Sequence, residues 1–191
     1  MAVLSPNQQR VAEIARSIVQ KNPVYLDSET TGLDKNAEIV EIAVVDDNGV
    51  ILINQLVRPS IPIPADVTRL HGITDEMVAS AKSWPALWPT VRGALLGKTI
   101  GIYNAEFDVR IMRQSLERYR LPWRENLSTM DILSLFSEFR GEWDPNRRAL
   151  RRFRLEDAGR FFHIPLPNSH RAAEDALLAR ALLRRIGGLE Y

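Results

Sequence analysis

The sequence predicts an α/β protein with one mixed sheet, an antiparallel meander plus parallel strands, flanked by helices. Three observations predict it. VYLDSET (24–30) is a short β-rich run. EIVEIAVVDDNGVILINQLV (38–57) reads as two more such runs around Asp47-Asn48-Gly49, a hairpin signal, so the first three strands form a meander. KTIGIY (98–103) is a further strand followed by a helix from about Ala105 to Tyr119, the order of a βαβ unit with a parallel central partner.

The remaining elements follow in chain order. Residues 5–21 read as a helix, with Ser5 as cap, Pro6 at the favoured first position and an apolar stripe of Val11, Ile14, Ala15, Ile18 and Val19. It is expected to pack on the domain edge, with protein docking as its alternative use. Residues 58–68 hold Pro59, Pro62 and Pro64 and are expected to form an extended loop. Thr74 and Trp84 open two helical stretches, in which Trp84 and Trp88 are expected in the core rather than as a base-stacking platform. Residues 127–130 suit a short strand, and Asp131 to Phe139 a helix. Residues 140–150 (RGEWDPNRRAL) carry turn formers without apolar period and read as a mobile surface loop. Leu155–Phe162 and His170–Ile186 close the chain as helices. The order is βββαβα(β)αα after the first helix.

At 191 residues the chain is one domain, read as an N-terminal helical extension (1–22) and a main domain (23–191). Apolar residues make up 45% and charged residues 26%, a globular composition. The absence of cysteine excludes disulfides, zinc–thiolate sites and cysteine nucleophiles. MAVLSPNQQR has no apolar signal region, and no run of about 18 apolar residues occurs, so a cytoplasmic location and no membrane association are expected. With 25 Lys and Arg against 24 Asp and Glu, the net charge of +1 gives no bulk attraction to polyanions; any basic footprint must be local.

Three clusters carry chemistry. In Asp27-Ser28-Glu29 the two carboxylates sit two apart on a strand and point to one face. Paired anions beside a core are costly unless a cation neutralises them. In Asn104-Ala105-Glu106-Phe107-Asp108, Asn104 ends a strand and is expected to cap the next helix, with Asp108 one turn on. In His170-Arg171-Ala172-Ala173-Glu174-Asp175 an imidazole precedes a carboxylate by a turn, on a strongly helical segment. Four carboxylates and a histidine thus lie at strand ends and helix starts, where α/β folds place their sites. Oxygen-only donors select Mg²⁺ or Mn²⁺, and four carboxylates can hold two such ions about 3.5–4 Å apart.

DSETTGL, NAEFD and HRAAED, in this order and spacing, resemble the three exonuclease motifs of the DEDDh family of 3′–5′ exonucleases. That family includes the proofreading subunit of bacterial DNA polymerase III, and the resemblance spans about residues 23–186. It implies a ribonuclease H-like fold and two-metal hydrolysis of the 3′-terminal phosphodiester of DNA or RNA. It also implies that nucleoside 5′-monophosphates are released. Asp27, Glu29, Asp108 and Asp175 become the metal ligands, with Asp27 shared by both ions and His170 the general base. Thr30, Thr31, Gly32 and Leu33 hold the terminal nucleotide, with His71, Asn104 and Phe107 around it; His71-Gly72-Ile73-Thr74 is similar to a family loop beside the active site. Tyr103 departs from the family, many members having His there.

The substrate implied is a single-stranded nucleic acid or a 3′ overhang. The chain ends at Tyr191 without the long tail by which the polymerase subunit docks, so a freestanding enzyme is expected. Repair, proofreading, RNA maturation and trimming of foreign DNA are all open. The rivals are a non-catalytic nucleic-acid-binding module of the same fold and a subunit active only inside a complex. Asp131, Glu156 and Asp157 are expected as capping or surface acids, and His163 as a loop or core-edge residue. Arg147, Arg148, Arg151, Arg152 and Arg154 form a local basic run, either a solvated loop or a phosphate clamp for the substrate strand.

Overall fold

The computed structural model describes residues 4–167 and 170–191. Helix α1 (Pro6–Val19) starts with a capping box between Ser5 and Gln8 and has Pro6 in its first turn. Strands β1 (Val24–Thr30), β2 (Ile39–Asp46) and β3 (Ile51–Leu56) form the expected meander, with Gly49 at φ 85° in the turn between β2 and β3. Helices α2 (Ala65–His71), α3 (Asp75–Val78) and α4 (Trp84–Leu95) cross over to β4 (Thr99–Ile102). Next come α5 (Ala105–Glu117), β5 (Ser128–Asp131), α6 (Ile132–Arg140), β6 (Trp143–Asp144), β7 (Ala149–Leu150), α7 (Leu155–Phe161) and α8 (Ala172–Ile186). The main sheet has the order β3-β2-β1-β4-β5, antiparallel through β1 and parallel from β1 to β5.

Strand alternation divides β1 between two cores. Val24 and Leu26 join the cluster with Trp84, Trp88, Ile111 and Met112 under α4 and α5. Tyr25 faces the other way, into the cluster of α1, α6 and α8. The apolar stripe of α1 (Val11, Ala15, Ile18, Val19) is spent there. Trp84 and Trp88 are core residues, as expected.

Two loop expectations are corrected. The segment 58–68 is extended only to Pro64, because a proline restricts the residue before it and leaves those after it free. Pro64 sits extended at the N-cap of α2 and its carbonyl accepts from Thr68. The segment 140–150 is ordered rather than a loop: β6 and β7 pair antiparallel, and Arg148 takes a positive φ of 50° in the turn. Two-residue strands are too short to show an apolar period, which is why the sequence hid them. Among the described residues, no helix is long and apolar enough to cross a membrane.

Candidate active site

Asp27 and Glu29 project from the α8 face of β1. Their register partners on β2 are Ala43 and Glu41. Ala43 packs with Ala172 and Ala173, so three small side chains let the start of α8 approach the sheet closely. Glu41, 2% exposed, fixes that approach. It accepts the Ala172 N–H at 3.0 Å and pairs with the Arg171 guanidinium, whose Nε lies 2.9 Å from Oε2. The first turn of α8 is thereby tied to β2, and Asp175 comes over the end of β1. Carboxylate oxygens of Asp27, Glu29 and Asp175 lie within 4.8 Å of one another.

Asp108 arrives from the opposite face. It stands on α5, buried, and accepts the Ser28 hydroxyl at 2.6 Å. The two faces meet because β4 stops early. Ile102, its last residue, pairs with Leu26, so Asp27 is the first β1 residue beyond the β4 edge. Burial raises Asp27 well above the carboxylate range, reinforced by Asp108, Asp175, Glu29 and Glu41. Burial and the neighbouring acids Asp175, Glu41 and Asp108 lift Glu29 to about 8. Burial lifts Asp108 to about 7 against the Ser28 bond, and Asp175 to about 6 against the His170 charge. Converging buried carboxylates with all-oxygen donors fit a hard divalent cation such as Mg²⁺ or Mn²⁺.

His170 stands two residues before α8 rather than inside it. Its Nδ1 is 3.9 Å from Asp175 Oδ2 and 3.5 Å from Glu156 Oε1. Glu156, expected as a capping or surface acid, therefore faces the histidine from α7.

Of the remaining expected contacts, Thr30 to Leu33 directly follow Glu29, and Asn104 and Phe107 lie at the start of the helix that carries Asp108. The Thr30 hydroxyl bonds the Gly32 carbonyl, and the Thr31 hydroxyl accepts the Glu38 N–H. Leu33 is 77% exposed beside them. His71 is buried; its Nδ1 accepts the Ile73 N–H, so Nε2 carries the proton and donates to the Thr30 carbonyl at 3.3 Å. Burial lowers the His71 pKa, consistent with a neutral ring. Phe107 is half-buried under the Arg110 guanidinium.

The capping expectation for Asn104 is corrected. Its φ of 70° turns the side chain away from the α5 N–H groups, and the Asp131 carboxylate accepts the Asn104 and Ala105 N–H groups instead. Asp131 also caps α6. The freed Asn104 amide oxygen accepts from Arg152 at 2.6 Å.

Sequence reasoning missed Glu41 and Glu156. Glu41 had a readable signal, a lone acid inside the apolar run IVEIAVV, which a buried strand tolerates only with partners. Glu156 had none, since its nearness to His170 comes from the packing of α7 on α8.

The exonuclease profile (RNase_T) matches residues 24–183. The uncharacterized exonuclease CP81 of Escherichia phage 186 is 33% identical over 187 residues, 94% of this chain and 95% of its own length. The PolC-type DNA polymerase III of Caldanaerobacter subterraneus is 30% identical over 157 residues, which cover 80% of this chain but 11% of the polymerase. Among solved structures, exonuclease X in complex with 5′ overhanging duplex DNA superposes with a TM-score of 0.63 at 26% identity, covering 86% of this chain and 90% of that one. An exonuclease I structure at 18% identity (TM-score 0.68, 88% of this chain, 43% of that one) shares the fold.

Proposed function

The chain belongs to the exonuclease family and is a hydrolytic exonuclease, and from that premise we propose that it removes nucleotides one at a time from the 3′ end of single-stranded DNA. RNA is the second polymer to test. The observation that carries the reading is the convergence of Asp27, Glu29 and Asp175 within 4.8 Å, beside buried Asp108. Mg²⁺ or Mn²⁺ bound there would neutralise the acids, activate water and offset charge building on the phosphate.

Asp27, Glu29, Asp108 and Asp175 would hold two such ions. With Nδ1 turned to Glu156 and Asp175, Nε2 of His170 accepts the proton of the attacking water. The water oxygen bonds to phosphorus as the bond from phosphorus to the upstream 3′-oxygen breaks. That oxygen takes up a proton, and a nucleoside 5′-monophosphate leaves. Thr30, Thr31, Gly32 and Leu33 cradle the terminal nucleotide with Asn104 and Phe107, and His71 acts from beneath by fixing the Thr30 carbonyl. Residues 23–191 carry this chemistry, and α1 braces them.

A 5′-labelled single strand tests the reading, in DNA and RNA forms, with Mg²⁺, Mn²⁺ or chelator. The expected product is a ladder shortening from the 3′ end with either metal and no reaction in chelator. Internal cuts as the first event, or shortening from the 5′ end, would overturn it.

A further inference from the structure

The β6–β7 hairpin takes no part in that chemistry, yet it is built into the rim of the site. Two short strands do not hold together alone in water. Here they are anchored: the Arg151 N–H donates to the Glu142 carbonyl at 2.7 Å, and the Tyr103 hydroxyl donates to the Phe153 carbonyl at 2.9 Å. The Arg140 guanidinium lies against Phe153 and Phe161, 5.0 and 4.3 Å from the ring centroids. The Arg152 bond to Asn104 ties the arm to the turn that leads into α5 and Asp108.

What the arm shows outward is unusual for a solvated loop. Trp143 is 63% exposed. Arg147, Arg148 and Arg151 are exposed on the same hairpin. The ion pairs Arg147–Asp144 at 3.8 Å and Arg151–Glu142 at 3.3 Å are surface pairs. Such pairs are worth about 0–1 kcal/mol, so either guanidinium can exchange its carboxylate for a phosphate. Residues 142–154 hold five arginines against Glu142 and Asp144, in a chain whose net charge is only +1. Positive charge is thus concentrated on this arm. An exposed indole on a hairpin that also carries exposed guanidinium groups matches the chemistry of single-strand binding, stacking for bases and cations for phosphates.

We propose that the β6–β7 arm binds the single strand upstream of the 3′-terminal nucleotide, stacking a base on Trp143 and holding phosphates with Arg147, Arg148 and Arg151. This rests on the exonuclease reading of the site. The Arg152–Asn104 bond sets the distance between arm and cleft. Long strands gain affinity from the arm, whereas a dinucleotide has no upstream chain to reach it.

The test uses the full chain, the triple variant Arg147→Ala/Arg148→Ala/Arg151→Ala and, separately, Trp143→Ala. Equilibrium binding of a fluorescent single-stranded 12-mer is read in chelator over a range of salt. KM and kcat are read in Mg²⁺ on the 12-mer and a dinucleotide. Melting curves confirm that the variants fold. The triple variant is expected to bind the 12-mer at least about tenfold more weakly, with a log–log salt slope shallower by about 2, the share of three lost phosphate contacts on a single strand. Trp143→Ala is expected to weaken binding severalfold without changing the slope. The preference for the 12-mer over the dinucleotide should fall with KM rather than kcat. Unchanged affinity and salt slope in both variants would overturn the proposal. Wild-type binding that depends on the arm, in a protein inactive with either metal, would overturn the catalytic reading and keep the arm.

Discussion

Glu29 is held at about 8, against an ordinary value of 4.5, by burial and by the charges of Asp175, Glu41 and Asp108. The folded state therefore keeps a proton that the unfolded state releases between pH 4.5 and about 8. Stability of the metal-free protein should fall as pH rises through that window and level off above it. Thermal melts in chelator at pH 5 and pH 8 check the sign. Glu29→Gln should raise the melting temperature at pH 8 by roughly 2–4 °C for each kcal/mol of repulsion relieved, and should reduce the stabilisation by Mn²⁺. A melting temperature that Glu29→Gln lowers at pH 8 would show that the ionised cluster is not strained. His170→Ala keeps all four acids, so it should keep the Mn²⁺-induced shift. It should also slow turnover by about 10²–10⁴-fold, the usual effect of a positioned base. A mutant as fast as wild type would assign the proton to another group.

The start of α8 is the element on which the site depends most, because it delivers both His170 and Asp175. Its position rests on the Glu41 tie to Arg171 and the Ala172 N–H. Arg171 is half-buried, whereas Glu41 is fully buried. Arg171→Ala strands a buried carboxylate, while Glu41→Gln leaves a guanidinium that can turn to water. Arg171→Ala should thus be the costlier change, by about 2–4 kcal/mol against about 1–2 for Glu41→Gln in denaturant melts. Both should lower kcat. Equal small costs with full activity would mean that apolar packing alone seats the helix. This tie was half legible: the lone acid of IVEIAVV stood out, but its partner lies far along the chain. Helix and strand identities were legible wherever apolar period and turn residues agreed, as in α1 and the β2–β3 hairpin. They failed at α2, where prolines ahead of the helix masked it, and at β6–β7, where the strands are shorter than any period. The Asn104 cap failed because a left-handed backbone cannot be read from an Asn that suits both roles.

At the scale of the whole molecule, the proposed site depends on topology. Asp27 and Glu29 lie on one face of the sheet and Asp108 enters from the other, and they meet only because β4 ends opposite Leu26. The sequence offered the four acids and the histidine as a set, through three motifs whose spacing is specific. Where β4 ends, and therefore how Asp108 reaches Asp27, depends on register, which no local pattern encodes. The helices α1, α6 and α8 brace one face and α4 and α5 the other, so the acids sit between two packed cores that resist their mutual repulsion. Asp27→Asn probes this arrangement with almost no change of shape. The decisive measurement is the rate of 3′-end shortening by Asp27→Asn in Mg²⁺, with its melting temperature in chelator as the check on folding. The account predicts a folded protein, at least as stable as wild type without metal, whose rate falls by at least about 10³-fold. A folded Asp27→Asn protein that shortens the strand at near the wild-type rate would contradict it.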